Sequence, residues 1–231
     1  MSVRSVTSAG TMRRILICSL LVPLLAACGD SKEPDPPRST VPTEAVVRWL
    51  EAVESGNTAE AAATTVEGSL AMALALENDM APAQIADLLA TGVPEDMAGS
   101  YWASFADGFA SFAGRPLSTL RVGAHTEFAS EGSSYAAVTV SGRSDAEALV
   151  FTKLEDDGGW AVDLIATLSS GFLEVITRTY DELPDTEDGR AVRDAYREVI
   201  APSLWAALAA GEADDDFTRR ALGLLERIDA G

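Results

Sequence analysis

The chain of 231 residues contains 36 acidic and 17 basic side chains, so its formal net charge at pH 7 is −19. A surface this acidic repels nucleic acid phosphates and anionic membrane surfaces, and we expect no nucleic acid partner. Two cysteines and one histidine are too few for a disulfide framework or a histidine-based zinc site.

The N-terminal segment has the layout of a secretory signal peptide. Arg13 and Arg14 precede an uncharged run of 13 residues that ends on two alanines. A helix that crosses a membrane needs about 20 residues, so this run is too short for a permanent span. We therefore predict that residues 1–27 are a cleaved signal peptide, with translation starting at Met1 or at Met12.

The uncharged run leads into the sequence Leu25-Ala26-Ala27-Cys28. This sequence resembles the lipobox of bacterial lipoproteins, in which a leucine and two small residues precede the cysteine at the cleavage site. The resemblance implies that Cys28 receives acyl chains such as palmitate and becomes the first residue of the mature protein. The alternative is that Cys28 is an ordinary thiol beside an apolar stretch.

A lipid on Cys28 would also determine the location of the protein. Removal of residues 1–27 takes away three arginines and no acidic residue, so the mature protein is more acidic still. The acyl chains would then be its attachment to the membrane, on the extracytoplasmic side. Gly29 follows the cysteine, so by the same resemblance the outer membrane is the alternative location in a Gram-negative cell.

Residues 28–42 have the composition of a tether. Prolines lie among charged and small polar residues, with almost no apolar side chain: Pro34, Pro36, Pro37 and Pro42. In a polyproline conformation this segment would reach about 40 Å from the membrane. We expect the folded domain to begin near Thr43.

The first half of this domain has helical spacing. Apolar residues recur every three or four positions from Thr43, and Asn57 followed by Glu60 predicts a capping box at the start of a second helix. Further short helices are predicted up to residue 90. Pro94 then opens a longer helix that continues to about Ala113.

Large aromatic side chains form a stripe along this last helix: Tyr101, Trp102, Phe105 and Phe109. Spacings of three and four place them on one face of a helix. We interpret the stripe as core. The alternative is that these side chains line an apolar pocket.

The apolar period then changes from helical to two. Strands are predicted at residues 120–128, 135–140, 146–154 and 160–166. Their connections are too short for crossover helices, so the sheet should be an antiparallel meander. Helices followed by a meander indicate an α+β fold, with N-terminal helices packed on a curved four-stranded sheet and more helices at the C-terminus.

Two segments resemble the ketosteroid isomerase and nuclear transport factor superfamily. Residues 49–62 (WLEAVESGNTAEAA) are similar to its opening helix pair, and residues 157–163 (DGGWAVD) to a late strand entry. The resemblance implies a core at 43–168 whose helices pack into the concave face of the sheet, with 69–113 as a helical insertion. It also implies that Asp, His and Tyr side chains within the cone act as acids or bases in the enzymes of this superfamily.

The C-terminal segment, 169–231, is predicted to be a helical extension. Its apolar stripes are interrupted at Pro184 and Pro202, and an acidic run at 214–216 suits a helix N-terminus. We expect these amphipathic helices to pack on the same domain. A separate partner surface is the alternative.

Two ionisable residues are catalytic candidates, His125 and Asp163. Strand parity places His125 with Arg121 and Glu127, on a solvated face. Asp163 alternates with apolar residues of the last strand, so we predict an exposed carboxylate or an ion pair with Arg121 or Lys153. Neither position by itself predicts a catalytic residue.

Metal and cofactor sites are not predicted. The acidic runs at 155–157, 185–189 and 214–216 lack the spacing of a calcium loop, and we interpret them as solvated turns or helix starts. No phosphate-binding loop or serine-hydrolase elbow occurs in the chain.

Two functions remain. The first is a lipid-anchored envelope protein with a non-catalytic domain that binds an apolar small molecule or another envelope protein. The second is a cone-type enzyme, an isomerase or dehydratase, that acts on an apolar small molecule. In the enzyme, His125 or Asp163 would carry the proton and Tyr101 or Tyr135 would donate a hydrogen bond.

Overall fold

The computed structural model describes residues 37–113, 116–142, 147–211 and 214–231. Leu25, Ala26, Ala27 and Cys28 lie outside these ranges, as does most of the predicted tether. Helices on both sides of a four-stranded antiparallel sheet confirm the predicted α+β class.

The N-terminal helices follow the predicted order: α1 (Pro42–Ser55), α2 (Thr58–Ala63), α3 (Ser69–Glu77), α4 (Pro82–Thr91) and α5 (Glu95–Ala113). Gly56 ends α1 in the left-handed conformation, with φ of 70°. Helix α2 begins with one half of the predicted capping box, because Glu60 N donates to Asn57 Oδ1 at 3.2 Å. The other half is not formed: Glu60 Oε2 accepts from the side-chain Nδ2 of Asn57 at 2.9 Å, and Asn57 N donates to Ala52 O.

The sheet contains β1 (Arg121–Ser130), β2 (Ser133–Ser141), β3 (Glu147–Leu154) and β4 (Trp160–Val162). Each strand pairs antiparallel with the next, so the predicted meander is correct. The prediction for the last strand, 160–166, was wrong at its C-terminal end. Strand β4 stops at Val162 because Asp163 caps the helix that follows.

A β-bulge in β1 changes the predicted faces of that strand. Arg121 pairs with Ser141 and His125 pairs with Val138, with the register shift between Val122 and His125. Ser141 and Val138 lie on opposite faces of β2, so Arg121 and His125 do too. The prediction that they share a face was wrong because one register shift reverses all later positions.

The C-terminal helices are α6 (Leu164–Asp181), α7 (Glu187–Ala195), α8 (Ala201–Ala209) and α9 (Asp215–Ala230), with a π-helical turn, Tyr196–Ile200, between α7 and α8. Pro202 lies in the first turn of α8. The wider turn just before it accommodates the missing N–H of the proline without ending the helix.

The hydrophobic core lies on both faces of the sheet. Val138, Val150 and Val162 on one face pack in the cluster that contains Trp49 of α1. On the other face, Ala137 and Phe151 pack against Ala166 of α6. Helix α3 contacts α6 and helix α4 contacts α7, so the predicted insertion packs against the C-terminal helices.

The last residues of the predicted tether belong to the folded domain. Ser39 forms a β-bridge with Trp160, and Arg38 Nε donates to Ala63 O at 3.0 Å. A Cβ at Gly159 would lie 2.3 Å from the Arg38 Cβ, so only glycine fits beneath this arginine. The prediction that the tether extends to residue 42 was therefore wrong over residues 37–42.

Candidate functional site

A cavity of about 400 Å³ lies between the sheet and the helices α4, α7 and α8. Its wall includes the loop between α2 and α3, which is joined to β4 by two backbone hydrogen bonds. Val162 N donates to Thr64 O at 2.8 Å and Val66 N donates to Val162 O at 2.9 Å. Parts of the chain that are far apart in the sequence therefore meet around one space.

Tyr135 of β2 forms a buried part of the cavity wall. Its ring stacks on Phe128 with centroids 6.0 Å apart, and only 1% of the residue is exposed. Its Oη has no hydrogen-bond partner among the described residues. Burial, with the nearby carboxylates of Asp163 and Glu155, raises the pKa of the Tyr135 hydroxyl, which therefore keeps its proton.

Glu155 follows β3 and places a carboxylate in the same cavity. Its main chain is held in a turn, because Glu155 N donates to Gly159 O and Gly158 N donates to Glu155 O, both at 2.9 Å. Its Oε1 is buried and has no hydrogen-bond partner in the described part of the chain. The interpretation of the 155–157 run as a wholly solvated turn was wrong for this side chain.

Asp163 brings a buried carboxyl group to the cavity, with 1% of its surface exposed. Its Oδ1 accepts a hydrogen bond from Ala166 N at 2.9 Å, and its Oδ2 lies 2.8 Å from Ser203 Oγ. Burial raises the pKa of the Asp163 carboxyl, and the hydrogen bonds with Ala166 and Ser203 and the charge of Lys153 offset only part of this rise.

The contacts of Ser203 leave room for a proton on Asp163. Ser203 Oγ also lies 2.7 Å from Val199 O, so two acceptors surround a hydroxyl that has a single proton. When Asp163 is protonated, it donates to Ser203 Oγ, and Ser203 donates to Val199 O. Each of the two contacts, from Asp163 to Ser203 and from Ser203 to Val199, then contains one proton. This arrangement agrees with the raised pKa of Asp163.

Charge in the cavity is predominantly negative. Glu67, Glu155, Asp163 and Glu198 all line it, and Lys153 is the one basic residue that the described part of the chain contributes to the wall. None of these five side chains forms an ion pair within 4.0 Å among the described residues, although the Lys153 charge acts on Asp163. Asp194, also at the wall, is paired with Arg197 at 2.7 Å.

The structure separates the two catalytic candidates that the sequence suggested, Asp163 and His125. Asp163 is neither exposed nor in an ion pair, so that prediction was wrong: it stands at the N-terminus of α6, beyond the end of β4. It shares its cavity with Tyr135, whereas His125 lies away from it. His125 is at the surface, with 31% of its side chain exposed and its Nε2 3.3 Å from Glu127 Oε1.

The aromatic stripe of α5 lies elsewhere, in the main core. Trp102 is 1% exposed, and its ring meets the rings of Trp49, Tyr101 and Phe105 edge to face. Phe105 and Phe109 are partly buried against the same cluster. Tyr101 borders a separate cavity of about 230 Å³.

Sequence reasoning missed Ser203 and the buried oxygen of Glu155. Ser203 follows a proline in an apolar helix, and no local pattern relates it to Asp163, which is 40 residues away. Glu155 belongs to an acidic turn whose other members, Asp156 and Asp157, are exposed. Both residues are recognised only from their burial and contacts in the tertiary structure.

Further findings concern metal binding, membrane spans and similarity to known proteins. Over the described ranges, no three His, Cys, Asp or Glu side chains are close enough together to hold a metal ion, and no helix is long and apolar enough to cross a bilayer. Comparison of the chain with family models, with curated proteins and with solved structures finds no match. The resemblances to lipoproteins and to the ketosteroid isomerase superfamily therefore stay predictions.

Proposed function

We propose that this protein is a lipid-anchored bacterial envelope protein whose folded domain binds a small polar molecule in the cavity beside Tyr135 and Asp163. The proposed anchor is Cys28, on the extracytoplasmic side of the membrane. A polar ligand replaces the apolar ligand expected from the sequence, because hydroxyl and carboxylate groups line the cavity.

One observation carries the binding proposal: the Tyr135 hydroxyl is buried at the cavity wall without a hydrogen-bond partner among the described residues. A buried polar group left without a partner costs about 1 to 3 kcal/mol, and such groups are rare in folded proteins. A bound molecule that supplies the partner removes this cost. The unpaired Glu155 Oε1 in the same cavity supports the same conclusion.

The hydrogen bonds of Asp163 favour binding over catalysis. Both of its oxygens are engaged by the protein, one by Ala166 N and the other by Ser203 Oγ. A general acid or base needs an oxygen free to reach the substrate. Asp163 therefore serves to join α6 to α8, while Tyr135 and Glu155 keep free atoms for a ligand.

Filling the mouth of the cavity should abolish binding. Ala191 lies on α7, lines the cavity and is exposed, so Ala191→Trp should block the entrance without disturbing the core. We expect polar fragments that give saturation-transfer NMR signals with the wild-type protein to lose them with this variant. Ala103→Trp, at an exposed position of α5, is the control and should keep them. Equal fragment signals for wild type and Ala191→Trp would refute a binding site in this cavity.

Replacement of the proposed lipid attachment site should release the protein from the membrane. We expect Cys28→Ala to remove metabolic palmitate labelling and to leave the precursor uncleaved, because the thiol that receives the lipid is absent. Two or three acyl chains contribute about 0.8 kcal/mol per buried CH₂, which outweighs the repulsion of an acidic protein by an anionic surface. Continued labelling of Cys28→Ala would show that the anchor is somewhere else.

A further inference from the structure

We infer that the ligand of this cavity carries a protonated amine, which Glu155 and Tyr135 bind through their unpaired oxygen atoms. This inference rests on the proposed function, since it names the chemical class of the molecule that the cavity holds. It is carried by the hydrogen-bonding capacity of the free atoms and by the charge around them.

The free atoms of the cavity wall are mainly acceptors. Glu155 Oε1 can only accept a hydrogen bond while the carboxylate is ionised, and the oxygen of Tyr135 offers lone pairs as well as one proton. A primary ammonium group has three donors and no acceptor. It can therefore donate a hydrogen bond to each of the two oxygen atoms. A ligand carboxylate cannot, because it has no proton to donate.

The charge of the cavity favours the same head group. Four carboxylates without ion-pair partners line it, against the single ammonium of Lys153. Even without counting Asp163, the three carboxylates of Glu67, Glu155 and Glu198 face the one positive charge. A concave, partly buried site of one sign concentrates ions of the opposite sign and repels those of the same sign. A cation therefore gains on entering, and an anion loses.

The space suits a head group on a short apolar stem. The cavity volume, about 400 Å³, lies within the usual range for small-molecule sites, about 300 to 1,000 Å³. Its wall also includes the apolar side chains Val66, Leu89 and Val199. Acceptors and apolar side chains in one cavity match a small aliphatic amine.

Three probes of equal length separate the head groups: pentylamine, 1-pentanol and pentanoate, each titrated by NMR in buffer with physiological salt. We expect pentylamine to bind the wild-type domain at least about tenfold more tightly than pentanol, since its hydrogen bonds involve charged groups. Pentanoate should not bind.

Paired variants test the role of Glu155. Glu155→Gln removes one negative charge from the cavity and should weaken pentylamine binding by about tenfold or more. Asp156→Asn removes the same charge from the next residue, which is exposed and does not line the cavity, and should change the affinity less than about twofold. Tyr135→Phe, which preserves the ring packing, should weaken binding several-fold and gives a second reading if Glu155→Gln folds poorly.

Distinct results would overturn the inference and the proposed function. Equal affinities of pentylamine and pentanol, both lost in Ala191→Trp, would overturn the amine assignment and leave the cavity as a binding site. Equal weakening by Glu155→Gln and Asp156→Asn would also overturn it, because attraction by the overall charge would then explain the binding. Absence of binding by all three probes and by the polar fragments would overturn both.

Discussion

Replacement of Asp163 by alanine is expected to lower the free energy of unfolding by about 2 kcal/mol, as measured by urea denaturation. The change removes the N-cap of α6, which contributes about 1 kcal/mol. It also removes the buried contact with Ser203, which contributes about 1 kcal/mol. The two contacts of Asp163, with Ala166 N and Ser203 Oγ, are 2.9 and 2.8 Å long.

Asparagine at the same position is the matched control for charge. The asparagine oxygen can accept from Ala166 N, and its amide can donate to Ser203 Oγ, which is the pattern of a protonated aspartic acid. We therefore expect Asp163→Asn to stay within about 1 kcal/mol of the wild type at neutral pH. A loss as large as that of Asp163→Ala would contradict the protonated state.

The pH dependence of the free energy of unfolding tests the direction in which the pKa of Asp163 is shifted. The raised pKa of Asp163 means that the folded protein binds this proton more tightly than the unfolded chain does. Its contribution to the free energy of unfolding therefore falls as pH rises from the ordinary aspartate pKa, about 3.9, to the raised value, and is constant above it. Asp163→Asn lacks this contribution, so the stability of the wild type relative to Asp163→Asn should decline over that window. A relative stability that increases with pH would indicate a lowered pKa instead.

Replacement of Trp102 by alanine should cause the largest loss of stability, about 3 to 5 kcal/mol in urea denaturation. The side chain is 1% exposed and packs edge to face with the rings of Trp49 and Phe105. Its Nε1 has no hydrogen-bond partner among the described residues, so the loss comes from packing and from the cavity left behind.

Trp205→Ala is the matched control for Trp102→Ala. Trp205 lies on α8 and is only half-buried, so the same chemical change removes fewer contacts and leaves a space open to solvent. We expect a clearly smaller loss than for Trp102→Ala. Equal losses of unfolding free energy in the two variants would show that α5 does not form the centre of the hydrophobic core.

The local features of the fold could be predicted because neighbouring residues determine them. The N-cap formed by Asn57 needs only the backbone N–H of Glu60 in its own helix start. The meander follows from strand connections that are too short for a crossover helix. Asp214 caps α9 for a similar local reason, with Phe217 N donating to it at 2.7 Å.

The faces of β1 could not be predicted from alternation alone. The bulge between Val122 and His125 places Val122 beside Val140, in the main core, and Phe128 beside Tyr135, on the other side of the sheet. Alternation assumes an unbroken register, and a register shift depends on how two strands fit together. The position of Tyr135 against its neighbour Phe128 therefore had no local signal.

The sequence by itself determined the helix and strand types, the helix starts at Asn57 and at the acidic run 214–216, and the antiparallel order, because these depend on interactions over a few residues. Only the tertiary structure decided that Asp163 is buried, that Ser203 contacts it across 40 residues, and that Tyr135 and Glu155 share a cavity. Burial and pKa depend on which surfaces approach one another. For Asp163 the same carboxylate would be an exposed charge on a longer strand, and it becomes a buried acid because α6 and α8 close over it.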